Sequence, residues 1–252
     1  IRGRSIQPTL ITGSAVLNAF ARSAPWTLAT QQLQVMRAEF LETNVITLTS
    51  SISACEGEWL EALGLFEDAC RGSVEVNIFT YGAAISSCKG SWREAFQSYE
   101  DMLLKSLQPN VITCSATIAA CEKALQWQLA LEILAEVHEK GPQPNAISYN
   151  SAMSACVAHW QHAAMLLQEM KKPGTFSPWR RADVISYSAV TNACANSSQW
   201  EEALALLSMA EGLPEVEVNA VMINAAVTAC ERASQWQQAL NLLMMCTKPT
   251  VV

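Results

Sequence analysis

Tryptophan recurs at Trp26, Trp59, Trp92, Trp127, Trp160, Trp200 and Trp236, and three residues after each comes an alanine: Ala29, Ala62, Ala95, Ala130, Ala163, Ala203 and Ala239. A second column runs through Cys55, Cys88, Cys121, Cys156, Cys194 and Cys230, in steps of 33, 33, 35, 38 and 36 residues. Columns that keep register over such a length mark an internal repeat. Units of this period are small supersecondary elements that cannot cover their own apolar faces and must stack on their neighbours. The units run 10 to 44, 45 to 77, 78 to 110, 111 to 145, 146 to 183, 184 to 219 and 220 to 252, with 1 to 9 a remnant of a preceding repeat or an extension.

Each unit reads as two amphipathic helices. In the fourth, Ile112, Ile118 and Cys121 are expected on one face of the first helix, and Trp127, Ala130, Leu131 and Leu134 follow the i, i+3, i+4, i+7 rule in the second. The residue before each first helix is Asn44, Asn77, Asn110, Asn145, Asp183 or Asn219, all types that accept hydrogen bonds from the orphan N–H groups of a first turn. Prolines stay outside the helix interiors, as at Pro25, Pro109, Pro144 and Pro178. The tryptophans are expected to supply large buried areas, and the alanines to let backbones approach closely. The fold class is therefore all-α, an α-solenoid of about seven helix-turn-helix repeats.

Composition supports a folded helical chain, with 50% hydrophobic and 15% charged residues. No apolar run approaches the roughly 18 residues that cross a bilayer, so membrane insertion is not expected. The start Ile1-Arg2-Gly3-Arg4-Ser5 has neither an initiator methionine nor a signal core, as expected of a processed or partial product. Of nine cysteines, six keep the repeat spacing, which fits small reduced core residues better than disulfides.

The opening segments Ile78-Phe79-Thr80-Tyr81-Gly82, Ala146-Ile147-Ser148-Tyr149-Asn150 and Val184-Ile185-Ser186-Tyr187-Ser188, with the closing Pro109-Asn110 and Pro144-Asn145, resemble the pentatricopeptide repeat family. The likeness covers almost the whole chain. The tetratricopeptide pattern, of similar length, places its tryptophan in the first helix, whereas here it opens the second. The resemblance implies a right-handed superhelix whose first helices line a groove and read single-stranded RNA at one base per repeat. It also implies a plastid or mitochondrial location.

By that resemblance the second residue of each first helix wedges between bases: Ile11, Ile46, Phe79, Ile112, Ile147, Ile185 and Val221. The fifth residue and the last residue of the unit touch the base edge. These pairs are Ser14 with Asn44, Thr49 with Asn77, Gly82 with Asn110, Ser115 with Asn145, Asn150 with Asp183, and Ser188 with Asn219, while Asn224 has no clear partner. A small hydroxyl with Asn implies adenine and Asn with Asp implies uridine, so the target reads A-A-N-A-U-A, blank at the third base because Gly82 has no polar side chain. Each column also has a plainer reading: Asn as a helix cap, Ser or Thr as a small surface residue, an apolar second position as core.

The formal charge is −7, with 23 acidic residues, many of them on second helices, including Glu61, Glu67, Asp68, Glu94, Glu100, Asp101, Glu132, Glu136, Glu201 and Glu202. First helices are nearly neutral, and Arg22, Lys89, Lys123 and Arg232 lie near their ends; Lys123 and Arg232 are the candidate phosphate contacts. Repeats two, three and five lose two residues between the cysteine and the tryptophan, at Glu56-Gly57-Glu58, Lys89-Gly90-Ser91 and Val157-Ala158-His159, so their inter-helix turns must tighten. The longest interruption, Lys171 to Arg181, reads as a loop that is either a solvated insertion or a contact for phosphate or protein. His159 and His162 could share a helix face, but no third ligand is near, and no cofactor or metal site is expected. No phosphate loop, Ser-His-Asp order or deaminase motif is present, so the chain is expected to bind rather than catalyse. Two partners remain open: single-stranded RNA, or protein subunits of an organellar ribosome or photosynthetic complex for which the array is a scaffold.

Overall fold

The computed structural model describes residues 10–23, 26–38, 44–72, 76–172, 181–213 and 216–246. Every regular element among them is an α-helix, and the helices come in pairs. They are α1 (Leu10–Ser23) and α2 (Trp26–Ala38), α3 (Val45–Ala54) and α4 (Trp59–Arg71), α5 (Ile78–Ser87) and α6 (Trp92–Leu104), then α7 (Val111–Lys123) and α8 (Trp127–Lys140). The series continues with α9 (Ala146–Ala155) and α10 (Trp160–Lys171), α11 (Val184–Asn196) and α12 (Trp200–Glu211), α13 (Ala220–Arg232) and α14 (Trp236–Cys246). The chain divides into two compact units, residues 1–124 with 140–142, and residues 125–139 with 143–252.

In the first unit, α1, α3, α5 and α7 pack side by side, and α2, α4 and α6 each bridge their own first helix to the next one. The second unit repeats this with α9, α11 and α13 in a row and α10 and α12 bridging them. Within each unit the helices pack on their neighbours in sequence, so a helical-repeat solenoid of this kind needs no long-range topology.

The first helices start where the caps lie. Asn44, Asn110, Asn145, Asp183 and Asn219 each accept, through the side chain, the backbone N–H three residues on; Asn77 accepts from both Phe79 and Thr80. Asn110 with Thr113 and Asp183 with Ser186 form reciprocal capping boxes. The third position is Thr or Ser in six units, and in five of them, Thr47, Thr80, Thr113, Ser148 and Ser186, it is buried and its hydroxyl serves the cap.

Burial within a first helix follows positions three, four, seven and eight, as in Thr113, Cys114, Thr117 and Ile118 of α7. The expected sharing of one face by Ile112, Ile118 and Cys121 therefore fails for Ile112, which is exposed while the other two are fully buried. Six residues of helix turn a side chain by about 600°, which points Ile112 well away from Ile118. The second-helix alanines Ala29, Ala62, Ala95, Ala130, Ala163 and Ala203 are fully buried. The tryptophans are not: Trp26, Trp59, Trp92, Trp127, Trp160 and Trp200 are only half-buried and Trp236 is exposed. Large area comes instead from Tyr81, Tyr99, Tyr149 and Tyr187, with Phe66 edge-on to Tyr81 at 4.9 Å.

Two kinds of turn join the helices of a pair. In the shortened units the first helix is only ten residues long, and Cys55, Cys88 and Cys156 end it; N–H groups of Cys55 and then Glu58 donate to Ile52 and Cys55 carbonyls, two tight turns in succession, with Gly57 at φ 97°. In the longer units the first helix runs thirteen residues and reverses through Leu125, Ser198 or Ser234, at φ 53°, 57° and 58°. The N–H groups of Gln199 and Gln235 then reach back to Cys194 and Cys230 carbonyls.

Candidate nucleic-acid interface

The second position of each first helix forms a row of large apolar side chains left in solvent. Ile46, Phe79 and Ile112 in the first unit, and Ile147, Ile185 and Val221 in the second, are 57 to 65% exposed. Core packing therefore does not account for them. The cap asparagine holds the helix start, and the next residue but one must then point out of the row of first helices. The side chain of Ile11 lies outside the described residues.

The residue closing each unit is a cap, and this does not consume it. A cap bond uses Oδ1 of Asn44, Asn77 and Asn110, and an asparagine amide keeps Nδ2 as a separate donor. Asn145 and Asn219 bind their first turns in the same way. Asp183 is more engaged, since its Oδ1 accepts from Ser186 N–H at 2.9 Å and from Asn150 Nδ2 at 3.2 Å.

Among fifth-position residues, Ser14, Thr49, Ser115 and Ser188 are half-buried, Gly82 and Asn150 are buried, and Asn224 is exposed. Thr49 Oγ1 donates to the Val45 carbonyl and lies 3.0 Å from Thr80 Oγ1 on the next first helix. Asn150 is clasped, with Oδ1 accepting from Ser186 Oγ at 2.6 Å while Nδ2 donates to Asp183. Its pair with Asp183 is thus brought together directly, by the cap of α11. Ser188 Oγ is shielded from solvent and forms no hydrogen bond among the described residues.

A concavity of about 250 Å³ lies over α5, between the exposed Phe79 and Ile112. Thr49, Gly82 and Asn110 line it, so the structure gathers one fifth–last pair and two second-position residues around one space. Ser53, Ser86 and Glu56 also line it. Sequence reasoning did not select these three. The recurring signal was a serine at the ninth residue of α3 and α5, which a single chain shows but does not explain.

The cations are few and partly occupied. Arg232 Nη1 donates to Asn196 Oδ1 at 2.7 Å and faces the Ala195 carbonyl, tying α13 to α11, and Lys89 is paired with Glu56. Lys123 is exposed at the end of α7. The guanidinium of Arg232 retains further donors after these bonds. Of the acidic residues on second helices, most are exposed, Glu94 being half-buried. The side chain of Arg22 and the central part of the Lys171 to Arg181 loop lie outside the described residues. His159 and His162 both stack on Trp127, at 4.2 and 4.9 Å, and no group of three ligating side chains occurs among the described residues.

The paired helices and the row of outward second positions define a helical-repeat protein of the α-solenoid class. Residues 98–159 match the family model of the pentatricopeptide repeat domain, and residues 185–212 match that of the PPR repeat. Residues 98–159 and 185–212 thus carry the pattern of pentatricopeptide repeats. In fold the chain is similar to the crystal structure of the pentatricopeptide repeat protein PPR10 from maize, with a TM-score of 0.64 at 19% identity over 94% of this chain and 39% of that one. It is also similar to PPR10 in complex with an 18-nucleotide psaJ RNA element, with a TM-score of 0.54 at 16% identity over 97% of this chain and 46% of that one. The chain thus spans less than half the length of these structures. A search of curated proteins gave no match.

Proposed function

We propose that the chain binds single-stranded RNA along its first helices, one base to a repeat, with second-position residues between the bases and fifth and last residues at their edges. The observation that carries this is the solvent-exposed row Ile46, Phe79 and Ile112, and its counterpart Ile147, Ile185 and Val221, at a helix position that packing leaves outside in each of these units. Exposed apolar side chains in such order mark a surface that a partner covers. Polar groups stand beside them at the caps, and the similar fold of PPR10 is seen with RNA. On this reading the protein acts on organellar transcripts by masking or exposing a segment, and it has no catalytic role.

The test is a binding titration of A-A-N-A-U-A RNA against a scrambled sequence. Preference for the first is expected, and joint replacement of Ser115 and Asn145 by alanine should abolish the preference at the fourth base. Equal or absent binding would overturn the reading. A second reading, a scaffold for protein subunits of an organellar complex, draws on the net charge of −7 and the occupied cations. It predicts that purified protein ignores RNA of every sequence.

A further inference from the structure

Each junction between successive helix pairs joins a trailing face to a leading one. On the trailing side stands the residue seven after the opening tryptophan of a second helix: Leu33, Phe66, Tyr99, Leu134, Leu167 and Leu207 are all buried. Phe66 shows what covers this column, since it meets Tyr81 of the next first helix edge-on at 4.9 Å. On the leading side stands the seventh residue of a first helix, and Ser51, Ala84, Thr117, Ala152, Val190 and Ala226 are fully buried in turn. The third residue keeps to the same side. Thr80 Oγ1 lies 3.0 Å from Thr49 Oγ1, and Ser186 Oγ donates to Asn150 Oδ1 at 2.6 Å, each partner being on the preceding first helix.

In the first and last described pairs the same columns lie open. Val16, the seventh residue of α1, is 40% exposed, and Thr12 and Ala19, one turn to either side of it, are exposed as well. At the other end Leu243, seven residues after Trp236, is 49% exposed, with Leu240 at 46% and Trp236 at 66%. These three follow the i, i+4, i+7 spacing of a single helix stripe. Ile223 and Val227 of α13 are half-buried, whereas their counterparts in α11, Tyr187 and Thr191, are buried. A repeat that closes an array toward water carries a polar outer face. The stripe on α14 is apolar, which marks a surface for a protein partner.

The two open faces are counterparts of one another. Thr12, Val16 and Ala19 are of the residue types that fill the buried leading columns, as Thr80, Val190 and Ala84 do. At the polar edge, Asn224 is the exposed fifth residue of α13 and corresponds to Asn150, and Thr12 corresponds to Ser186. We propose that the chain associates head to tail with further copies of itself, α1 of one copy seating on α13 and α14 of another as each first helix seats on the pair before it. Such an interface is heterologous, giving a ring or an open series and not a two-fold pair of like faces.

Sedimentation of the whole protein from about 1 to about 100 µM should show the mass rising to that of two copies or more. Val16→Glu closes the leading face and Leu243→Glu the trailing one, and both replace exposed side chains, so the fold is kept. Each variant alone should stay monomeric. An equimolar mixture of the two should form pairs and nothing larger, because one intact leading face and one intact trailing face remain. Wild-type protein that is monomeric at every concentration, association that survives either substitution, or a mixture that fails to pair would each overturn the head-to-tail contact.

Discussion

At the scale of single residues, burial sets the chemistry of the cysteine column. The Cys121 thiol is pushed from near 9 up to about 11 by loss of solvent alone. Cys55, Cys88, Cys156 and Cys194 rise to about 11 chiefly for the same reason, with Glu61 and Glu58 adding repulsion at Cys55, Glu94 at Cys88 and Glu202 at Cys194. In the unfolded chain these thiols ionise near 9, so between about 9 and 11 the native state binds more protons than the unfolded one. Their contribution to stability is complete below that window and is lost as pH rises through it. Urea unfolding from pH 8 to 10.5 should therefore show falling stability, with a shallower fall in Cys121→Ala than in the wild type. An identical slope in the variant would contradict this account. That these cysteines are small reduced core residues was readable from their period. The direction of Ile112 was not, because the sequence lists apolar residues without saying which face they occupy.

At the scale of elements, two link lengths generate two turn geometries. The loss of two residues in repeats two, three and five showed in the sequence as spacing, and the structure turns it into helices of ten rather than thirteen residues. The longer units reverse through residues in the left-handed region, which costs a non-glycine residue about 1 kcal/mol or more. Ser198, at φ 57°, has no glycine freedom. Ser198→Gly should raise stability by up to about 1 kcal/mol, and Ser198→Val should lower it by a similar amount, as read from thermal unfolding. If the glycine variant is less stable, the turn is held by something other than backbone preference. The caps were legible residue by residue, since an Asn or Asp before an apolar run has a local partner three residues on. The burial of the tryptophans was not, because it depends on which neighbouring pair covers the start of the second helix.

At the scale of the whole molecule, the scarcity of free cations governs how RNA would be held. With about three phosphate contacts, each contributing about −0.7, log affinity against log salt should have a slope of about −2. A filter-binding titration between 50 and 300 mM salt (roughly, the range over which such slopes are read) checks it; a slope near −6 would mean that phosphate contacts, and not stacking and base edges, dominate. Period, helix pairing and caps were determined by the sequence alone, because each depends on residues within one turn or one unit of each other. Only the tertiary structure decided that the second-position row stays in solvent, that Asn150 is clasped by Asp183 and Ser186, and that a hollow lies over α5 beside Phe79. Each of these depends on which neighbouring helix occupies the adjacent space, and no single repeat contains that information.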